Sequence, residues 1–230
     1  MDIILKDVSK SFYGREFLKT TDINLKEHQI ISVLGQNGSG KTTLMKEIIR
    51  RCGKTYDIAY VPQETHGDLS LKAREIVALG RYRGVMGGAL SDKDNLLIDE
   101  AMEMTEIKDL GDRLYDTLSG GEKQRVLTAR AIAQDSTWIF LDEPSSHLDI
   151  RHTEILSGIL KRLKEEKNKS VFVILHDVNK AFQISDEIIL MKKGEILCTG
   201  KPDVDILGTA FDAVFEQGND GFIKVVSVDI

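Results

Sequence analysis

The chain has few cysteines and no long apolar run, and each shortage excludes a class of protein. Cys52 and Cys198 are the only cysteines among its 230 residues. There is therefore no disulfide framework, although a single disulfide between these two stays possible. We therefore expect a reducing, cytoplasmic setting. No stretch approaches the ~18 apolar residues of a membrane-spanning helix. The opening residues 1–6 lack the basic-then-apolar order of a secretion signal.

An excess of basic charge is also missing. The sequence has 31 basic and 37 acidic residues, for a net charge of −6. Because nucleic-acid binders usually carry a concentrated basic stripe, and none stands out here, we expect no nucleic-acid partner. Hydrophobic residues make up 41% and charged residues 30%, which is typical of a soluble globular protein.

Short apolar runs alternate with helical periodicity, as in strands joined by crossover helices. The runs are nearly continuous, which favours strands buried on both faces of a parallel sheet. A last pair of runs flanks Lys193-Gly194 and predicts a strand, a turn and a returning strand. The predicted strands are 30–34, 58–61, 138–141, 171–175, 188–191 and 196–198.

Residues 1–29 are strand-rich, with a loop at 11–15, whereas residues from about 65 to 135 are mainly helical. Ser91 followed by Asp94, and Ser119 followed by Glu122, indicate capped helix starts. With only three prolines and no obvious linker, we predict one domain, 1–230. It has a mainly parallel α/β core and an inserted helical subdomain at about 65–135. The apolar positions 97, 101, 104 and 107 predict one helix, and further helices are expected at 43–50 and 153–166.

A phosphate-binding loop follows the first predicted core strand. The segment Gly35-Gln36-Asn37-Gly38-Ser39-Gly40-Lys41-Thr42 fits G-x-x-x-x-G-K-[ST], and a predicted helix including Thr43 leaves it. Its glycines let backbone N–H groups surround a phosphate, and the helix N-terminus favours the same anion. Lys41 can neutralise the β- and γ-phosphates, and the Thr42 hydroxyl is suited to Mg²⁺. This loop alone indicates a nucleoside triphosphate site and no particular reaction.

Two acids end the strand at 138–141. Asp142 at the carboxyl end of this strand is suited to hold Mg²⁺ through a water molecule. Glu143 would face the same crevice and polarise a water for in-line attack on the γ-phosphate. A strand ending in Asp-Glu is also ordinary turn chemistry, but the phosphate loop upstream favours the catalytic interpretation.

The segment Leu118-Ser119-Gly120-Gly121-Glu122 distinguishes among phosphate-loop proteins. Here the chain resembles the ATP-binding cassette (ABC) family over nearly its whole length. The resemblance implies a P-loop NTPase core of RecA-like type, an N-terminal antiparallel β subdomain and the inserted helical subdomain. In that family two cassettes dimerise head to tail, and this segment of one acts on the ATP of the other. Ser119 and Glu122 also form a capping box, which is compatible with that role.

Further positions match the family pattern one at a time. Gln63 looks like the loop glutamine that contacts Mg²⁺ and senses the γ-phosphate, and His176 looks like the switch histidine. Ser146-His147-Leu148-Asp149 resembles the dimer loop, although the family more often has alanine where His147 stands. An aromatic residue usually stacks on adenine, and Phe12 and Tyr13 are both candidates because either ring has a π-face.

The length of the segments between the motifs, and their similarity to known subunits, narrow the kind of cassette. The segment between Lys41 and Leu118 is too short for the long coiled coils of repair and chromosome proteins, and translation factors carry two cassettes. A soluble iron–sulfur assembly ATPase stays an alternative. Segments 77–82, 146–152 and 212–215 are similar to motor subunits of iron-siderophore, haem and cobalamin importers. The first lacks the proline that often follows Gly-Arg-x.

The resemblance implies a transport ATPase on the inner face of the cell membrane. Its expected partners are a second cassette, which would make a homodimer, integral membrane permease subunits and an extracytoplasmic substrate-binding protein. Its expected ligands are ATP and Mg²⁺, with Thr42, Gln63 and Asp142 at the metal. Residues 64–90 would receive a cytoplasmic helix of the permease, or else form an uninvolved surface loop.

Overall fold

A six-stranded, mainly parallel sheet forms the centre of the computed structural model. The structure describes residues 1–53, 55–63, 70–82, 89–145, 150–203, 205, 207, 213–218 and 223–228. Its strands are β1 (Ile3–Phe12), β2 (Arg15–Leu25), β3 (Ile30–Leu34), β4 (Ile58–Val61), β5 (Trp138–Leu141), β6 (Ser170–Ile174), β7 (Glu187–Lys192), β8 (Glu195–Gly200), β9 (Ala213–Gln217) and β10 (Ile223–Val228). Its α-helices are α1 (Lys41–Cys52), α2 (Ala73–Ala78), α3 (Asp92–Met104), α4 (Gly120–Ala133), α5 (Ile150–Glu165) and α6 (Val178–Ile184).

The order of strands in the central sheet is β4-β5-β6-β3-β7-β8. All neighbours pair in parallel except β7 and β8, which form an antiparallel hairpin. Two further antiparallel pairs, β1 with β2 and β9 with β10, lie outside this sheet. The central strands β3, β5 and β6 are buried at every position, because both faces of the sheet are covered. The predicted fold class is confirmed.

The two faces of the sheet bury different partners. One face packs on α1 and the β1–β2 hairpin, with Phe140 and Phe172 stacked at a centroid distance of 4.8 Å. The opposite face packs on α2 to α6, which contribute Ile76, Val126 and Leu160 to one continuous core. Side chains alternate between the faces along each strand. Residues Phe140 and Asp142 on either side of Leu141 therefore share the α1 face.

The element boundaries differ from the predicted ones in a few places. The loop predicted at 11–15 shrinks to Tyr13 and Gly14, because Phe12 pairs with Arg15 across a tight hairpin. Both turn residues have positive φ, as two-residue hairpins of this hand require. Ile107 was wrongly placed in the third helix, which ends at Met104 with Thr105 as its C-cap. Ile107 is nonetheless fully buried.

Other helix starts lie earlier than expected. Helix α1 begins at Lys41, since the phosphate loop ends at Gly40, and α5 begins at Ile150. The two predicted capping boxes are confirmed at Ser91 and Ser119. No helix in the described part of the chain is long and apolar enough to cross a membrane. The assignment of 1–230 as one domain with a subdomain at 65–135 stays a prediction.

An ion cluster around Glu47 joins α1 to the N-terminal hairpin. Glu47 is 3% exposed and accepts hydrogen bonds from Arg50 Nε at 3.0 Å and Arg51 Nε at 3.4 Å. Arg51 also donates to the carbonyl oxygens of Lys6 and Asp7 in β1. The hydrogen bonds from Arg50 lower the pKa of Glu47 to about 2, against the opposing effect of burial. The cluster therefore holds α1, which leaves the phosphate loop, against β1.

Replacing Glu47 with Gln should lower the free energy of unfolding by about 2 kcal/mol near neutral pH, because bonds to a charged group are lost. The pKa of Glu47 in the folded state lies below the ordinary glutamate value of 4.5, so this stabilisation is present above about pH 4.5 and is lost as pH falls toward 2. Urea unfolding of both proteins across this range measures the difference. Glu103→Gln, which removes an exposed ion pair with Lys108, should cost under about 0.5 kcal/mol. A Glu47→Gln effect no larger than this control would contradict the assignment.

Candidate active site

The phosphate loop connects β3 to α1 and encloses the ammonium group of Lys41. Lys41 Nζ donates to the carbonyl oxygens of Gly35 at 2.9 Å and Gln36 at 3.2 Å. The residue is 4% exposed. Burial lowers the pKa of Lys41, and the charges of Glu143 and Asp142 oppose that shift. A buried cation facing two acids is well placed to receive an anionic ligand.

The loop is backed by the β7–β8 hairpin. A Cβ atom on Gly35 would lie 2.3 Å from the carbonyl oxygen of Met191, so only glycine allows this close approach. The backbone N–H of Gly194 in the hairpin turn donates to the Ser39 carbonyl at 2.9 Å. The shape of the loop is thus fixed by β7 and β8 as well as by its own sequence.

Asp142 follows β5 directly and lies behind the phosphate loop. Its Oδ1 accepts from Thr42 Oγ1 at 2.9 Å, and its Oδ2 accepts from the Tyr60 hydroxyl at 3.2 Å. The residue is 1% exposed. Burial raises the pKa of Asp142, while the bonds from Thr42 and Tyr60 work against that rise. The carboxylate is therefore positioned from α1 on one side and from β4 on the other.

Glu143, unlike Asp142, lines the cleft. Its Oε2 accepts from Gln63 Nε2 at 2.6 Å and lies 2.8 Å from His176 Nε2. Gln63 follows β4 and His176 follows β6. The backbone of Glu143 has a φ of 49°, a left-handed value that is uncommon for a residue with a side chain. The contacts from both neighbouring loops offset this local strain.

These groups converge because they follow neighbouring parallel strands. The carboxyl ends of β3, β4, β5 and β6 lie at one edge of the sheet, where ligands of open α/β sheets bind. A cleft of about 970 Å³ opens at this edge. Its lining consists of Phe17, Asn37, Gly38, Gly40, Lys41, Thr42, Thr43, Gln63, Glu143, Ser145, Thr153, His176, Asp177 and Lys180. The structure thus brings together residues of the phosphate loop, Gln63, Glu143 and His176.

The aromatic candidates are separated by the structure. Tyr13 is fully exposed in the β1–β2 turn and does not line the cleft. Phe12 ends β1, and its side chain lies outside the described part of the chain. Phe17 of β2 does line the cleft and is 49% exposed. Sequence reasoning missed Phe17, although an aromatic residue on β2 ahead of the phosphate loop was a usable signal.

The signature segment, Leu118–Glu122, lies away from this cleft. Ser119 and Gly120 are exposed at the start of α4, whereas Leu118 is buried. A Cβ atom on Gly121 would lie 2.5 Å from the His152 ring of α5, so α4 approaches α5 closely here. None of the segment's residues lines the cleft of its own chain. The dimer-loop residues Ser146, His147, Leu148 and Asp149 lie outside the described residues.

The cleft also contains side chains that sequence reasoning did not select. Lys180 of α6 lines it and forms an ion pair with Glu154 of α5. Asp177 accepts from the backbone N–H of Lys180 at 3.1 Å and thereby caps α6. Thr153 completes this side of the cleft. These residues reach the cleft because of how α5 and α6 pack, and no local sequence motif predicts that packing.

A protein-family model and individual proteins of known name match this chain. The family model described as ABC transporter matches residues 18–146, from β2 to the segment after β5. The petrobactin import ATP-binding protein of Bacillus subtilis (strain 168) is 31% identical, over 93% of this chain and 92% of its own length. The hemin import ATP-binding protein of Vibrio vulnificus (strain YJ016) is also 31% identical, over 91% and 88% respectively.

The fold of this chain also resembles that of solved structures. An inward-facing ABC transporter described as of the metal-chelate type aligns with a TM-score of 0.85 over 100% of this chain and 98% of its own. It is 24% identical and so speaks for the fold alone. A dimeric ATP-binding cassette in a post-hydrolysis state, with ADP and phosphate bound, is 28% identical. It aligns with a TM-score of 0.73 over 87% and 98% of the two chains.

The phosphate loop, the acids after β5 and the exposed α4 start thus occur in a chain whose relatives are ATP-binding import proteins. The chain belongs to the ABC transporter family and is an ATPase.

Proposed function

We propose that this chain is the motor subunit of an importer for iron complexes and that two copies hydrolyse ATP between them. The observation that carries the proposal is the division of the site. Lys41, Glu143 and His176 meet in one cleft, while the signature segment, whose Ser119 and Gly120 are exposed, lies away from it. A second copy placed head to tail would bring its Ser119 and Gly121 to the open side of that cleft.

The nucleotide would bind first through the phosphate loop. The backbone N–H groups of the loop and the N-terminus of α1 attract the phosphates. Lys41 would exchange its contacts with the Gly35 and Gln36 carbonyls for the β- and γ-phosphates. Phe12, Tyr13 and Phe17 are the aromatic candidates for contact with the base, and the cleft lining supports Phe17.

The residues beside Thr42 fit a magnesium ion. The Thr42 hydroxyl and the Asp142 carboxylate are 2.9 Å apart, and Gln63 adds an amide oxygen. Such oxygen donors, few in number and next to phosphates, are what Mg²⁺ prefers. In this site Thr42, Gln63 and Asp142 would hold the ion, Asp142 through water. The bound ion supplies neutralisation of phosphate charge.

Hydrolysis would then depend on Glu143. Its carboxylate would accept a proton from a water attacking the γ-phosphate. His176, which contacts the same carboxylate oxygen, would stabilise charge that develops on the γ-phosphate. The partner copy's signature N–H groups would approach that phosphate from the far side. Positioning and charge neutralisation would supply most of the rate, as in other phosphoryl transfers.

The cargo and the setting follow from the relatives. Petrobactin and hemin appear in the names of the matched import proteins, which supports an iron complex, haem or a related chelate such as cobalamin as cargo. We infer that the chain acts at the inner face of the membrane with permease subunits and a substrate-binding protein outside. Residues 64–90 would contact the permease. The rival proposal is a soluble assembly ATPase.

Replacing Glu143 with Gln should reduce steady-state ATP hydrolysis at least about 100-fold, because the proton acceptor is lost. ATP binding should persist, and the ATP-bound dimer should accumulate. Phosphate release measures the first effect, and light scattering after size-exclusion chromatography measures the second. Glu166→Gln, at an exposed ion pair with Arg162, serves as the control and should behave as wild type. Near-normal turnover in Glu143→Gln would remove Glu143 from the role of base.

Mixing two inactive variants tests whether each site is shared between copies. Lys41→Ala damages the phosphate loop, and Gly120→Asp adds a charge to the signature segment, where a side chain meets no atom within 4 Å. Heterodimers of the two carry one intact site and one doubly damaged site. An equal mixture should therefore recover about a quarter of wild-type turnover, since half of the dimers have one working site of two.

The control for this mixture combines Lys41→Ala with Thr42→Ala. Every site in those dimers contains a damaged phosphate loop, so no activity should return. Native mass spectrometry establishes that heterodimers form in both mixtures. If the Lys41→Ala and Gly120→Asp heterodimers form and stay inactive, the shared site is contradicted.

The importer proposal predicts that a tagged chain purified from detergent-solubilised membranes brings an integral membrane protein with it. Liposomes containing this complex and the substrate-binding protein should hydrolyse ATP faster when ferric chelate or hemin is added outside. Deletion of residues 64–69 should abolish co-purification while leaving nucleotide binding intact. Recovery of soluble assembly proteins and no permease would favour the rival proposal.

A further inference from the structure

The hydroxyl group of Tyr60 contacts the acid that is central to the proposed metal site. Tyr60 lies in β4, at the edge of the central sheet, and is half-buried. Tyr60 packs against the aromatic layer beneath α1, which consists of Trp138, Phe140 and Phe172. It pairs in register with Phe140 of β5. Because side chains two positions apart share a face, Asp142 follows Phe140 onto the same side as Tyr60. The ring packs as an apolar group while its hydroxyl reaches Asp142 Oδ2 at 3.2 Å.

The two oxygens of Asp142 have different donors from different elements. Oδ1 accepts from Thr42 at the start of α1, and Oδ2 accepts from Tyr60 in β4. The backbone N–H of Asp142 also donates to the Val61 carbonyl at 2.9 Å. Strand β4 therefore holds both the main chain and the side chain of this acid.

The bond from Tyr60 matters because the last torsion of an aspartate is broad. Thr42 has its own proposed role at the metal, so it is not a fixed partner of Asp142. Tyr60 is neither in the cleft lining nor a proposed ligand. We propose that Tyr60 is a positioning residue, whose hydroxyl fixes the orientation in which Asp142 receives Mg²⁺ together with ATP.

This inference rests on the proposed function of Asp142 and deepens it. It also gives β4 a second role in the site. Gln63, two residues after β4, contacts Glu143, while Tyr60 contacts Asp142. Strand β4 and the loop directly after it thus contact both acids that follow β5. Loss of a group that orients a metal ligand typically lowers metal affinity by about 10- to 100-fold.

The test is the replacement of Tyr60 with Phe, which removes the hydroxyl and keeps the ring. Binding of a fluorescent ATP analogue is measured in EDTA and then during Mg²⁺ titration. The half-saturating Mg²⁺ concentration should rise about 10-fold, while the dissociation constant in EDTA stays within about two-fold of wild type, since the phosphate loop is untouched. Electron paramagnetic resonance of Mn²⁺, used as a substitute ion, measures the same shift without hydrolysis.

The matched control is Tyr56→Phe. Tyr56 packs against the same aromatic layer, and within the described residues its hydroxyl makes no hydrogen bond. This variant should leave both constants unchanged. An unchanged Mg²⁺ requirement in Tyr60→Phe would reduce Tyr60 to a packing residue and overturn the inference. The inference would also be overturned if the dissociation constant in EDTA rose by as large a factor as the half-saturating Mg²⁺ concentration, because that pattern indicates general damage to the site.

Asp142→Asn separates this inference from the proposed function. If Asp142→Asn raises the Mg²⁺ requirement and Tyr60→Phe does not, only the role of Tyr60 fails. If Asp142→Asn leaves the Mg²⁺ requirement unchanged, the metal role of Asp142 fails, and the inference falls with it.

Discussion

The burial of Asp142 is the constraint on which the rest of the site depends. A carboxylate that is 1% exposed is costly unless donors compensate it. Here the donors are Thr42 from α1 and Tyr60 from β4. Both donors can reach Asp142 only if the ends of β4 and β5 and the start of α1 lie side by side. The parallel register of β4 with β5, and of β3 with β6, meets that requirement.

The same arrangement leaves the cleft open on one side. Among the described residues, Gln63 and His176 contact the Glu143 carboxylate, and they come from the loops that follow β4 and β6. The start of α4, where Ser119 and Gly120 are exposed and Glu122 completes a capping box, lies away from that cleft. A helix N-terminus of this kind suits a phosphate supplied by a second copy. Family membership and geometry therefore point to the same dimer.

The sequence predicted the local features well and the long-range ones poorly. Nearly continuous apolar runs identified the buried strands, because a strand covered on both faces has few polar positions. The phosphate loop and capping boxes are contiguous, so they were visible as motifs. Tyr60 was not selected, since its contact with Asp142 arises only after folding, and Phe17 was missed although its position ahead of the phosphate loop was a usable signal. Tyr60 and its partner Asp142 are 82 residues apart, and strand register alone brings them together. Ile107 was placed in a helix because buried apolar residues continue past the helix end.

Under the proposed function, the contacts of Glu143 would make hydrolysis depend on partners. Its left-handed backbone costs roughly 1–2 kcal/mol for a residue with a side chain, and the contacts from Gln63 and His176 offset that cost. Gln63 leads into the segment proposed to contact a permease, whereas His176 leads into α6, whose Lys180 pairs with α5. A displacement of either loop would change the position of the same carboxylate oxygen. Under the proposed function, the base is therefore sensitive both to the membrane partner and to the α5–α6 side of the cleft.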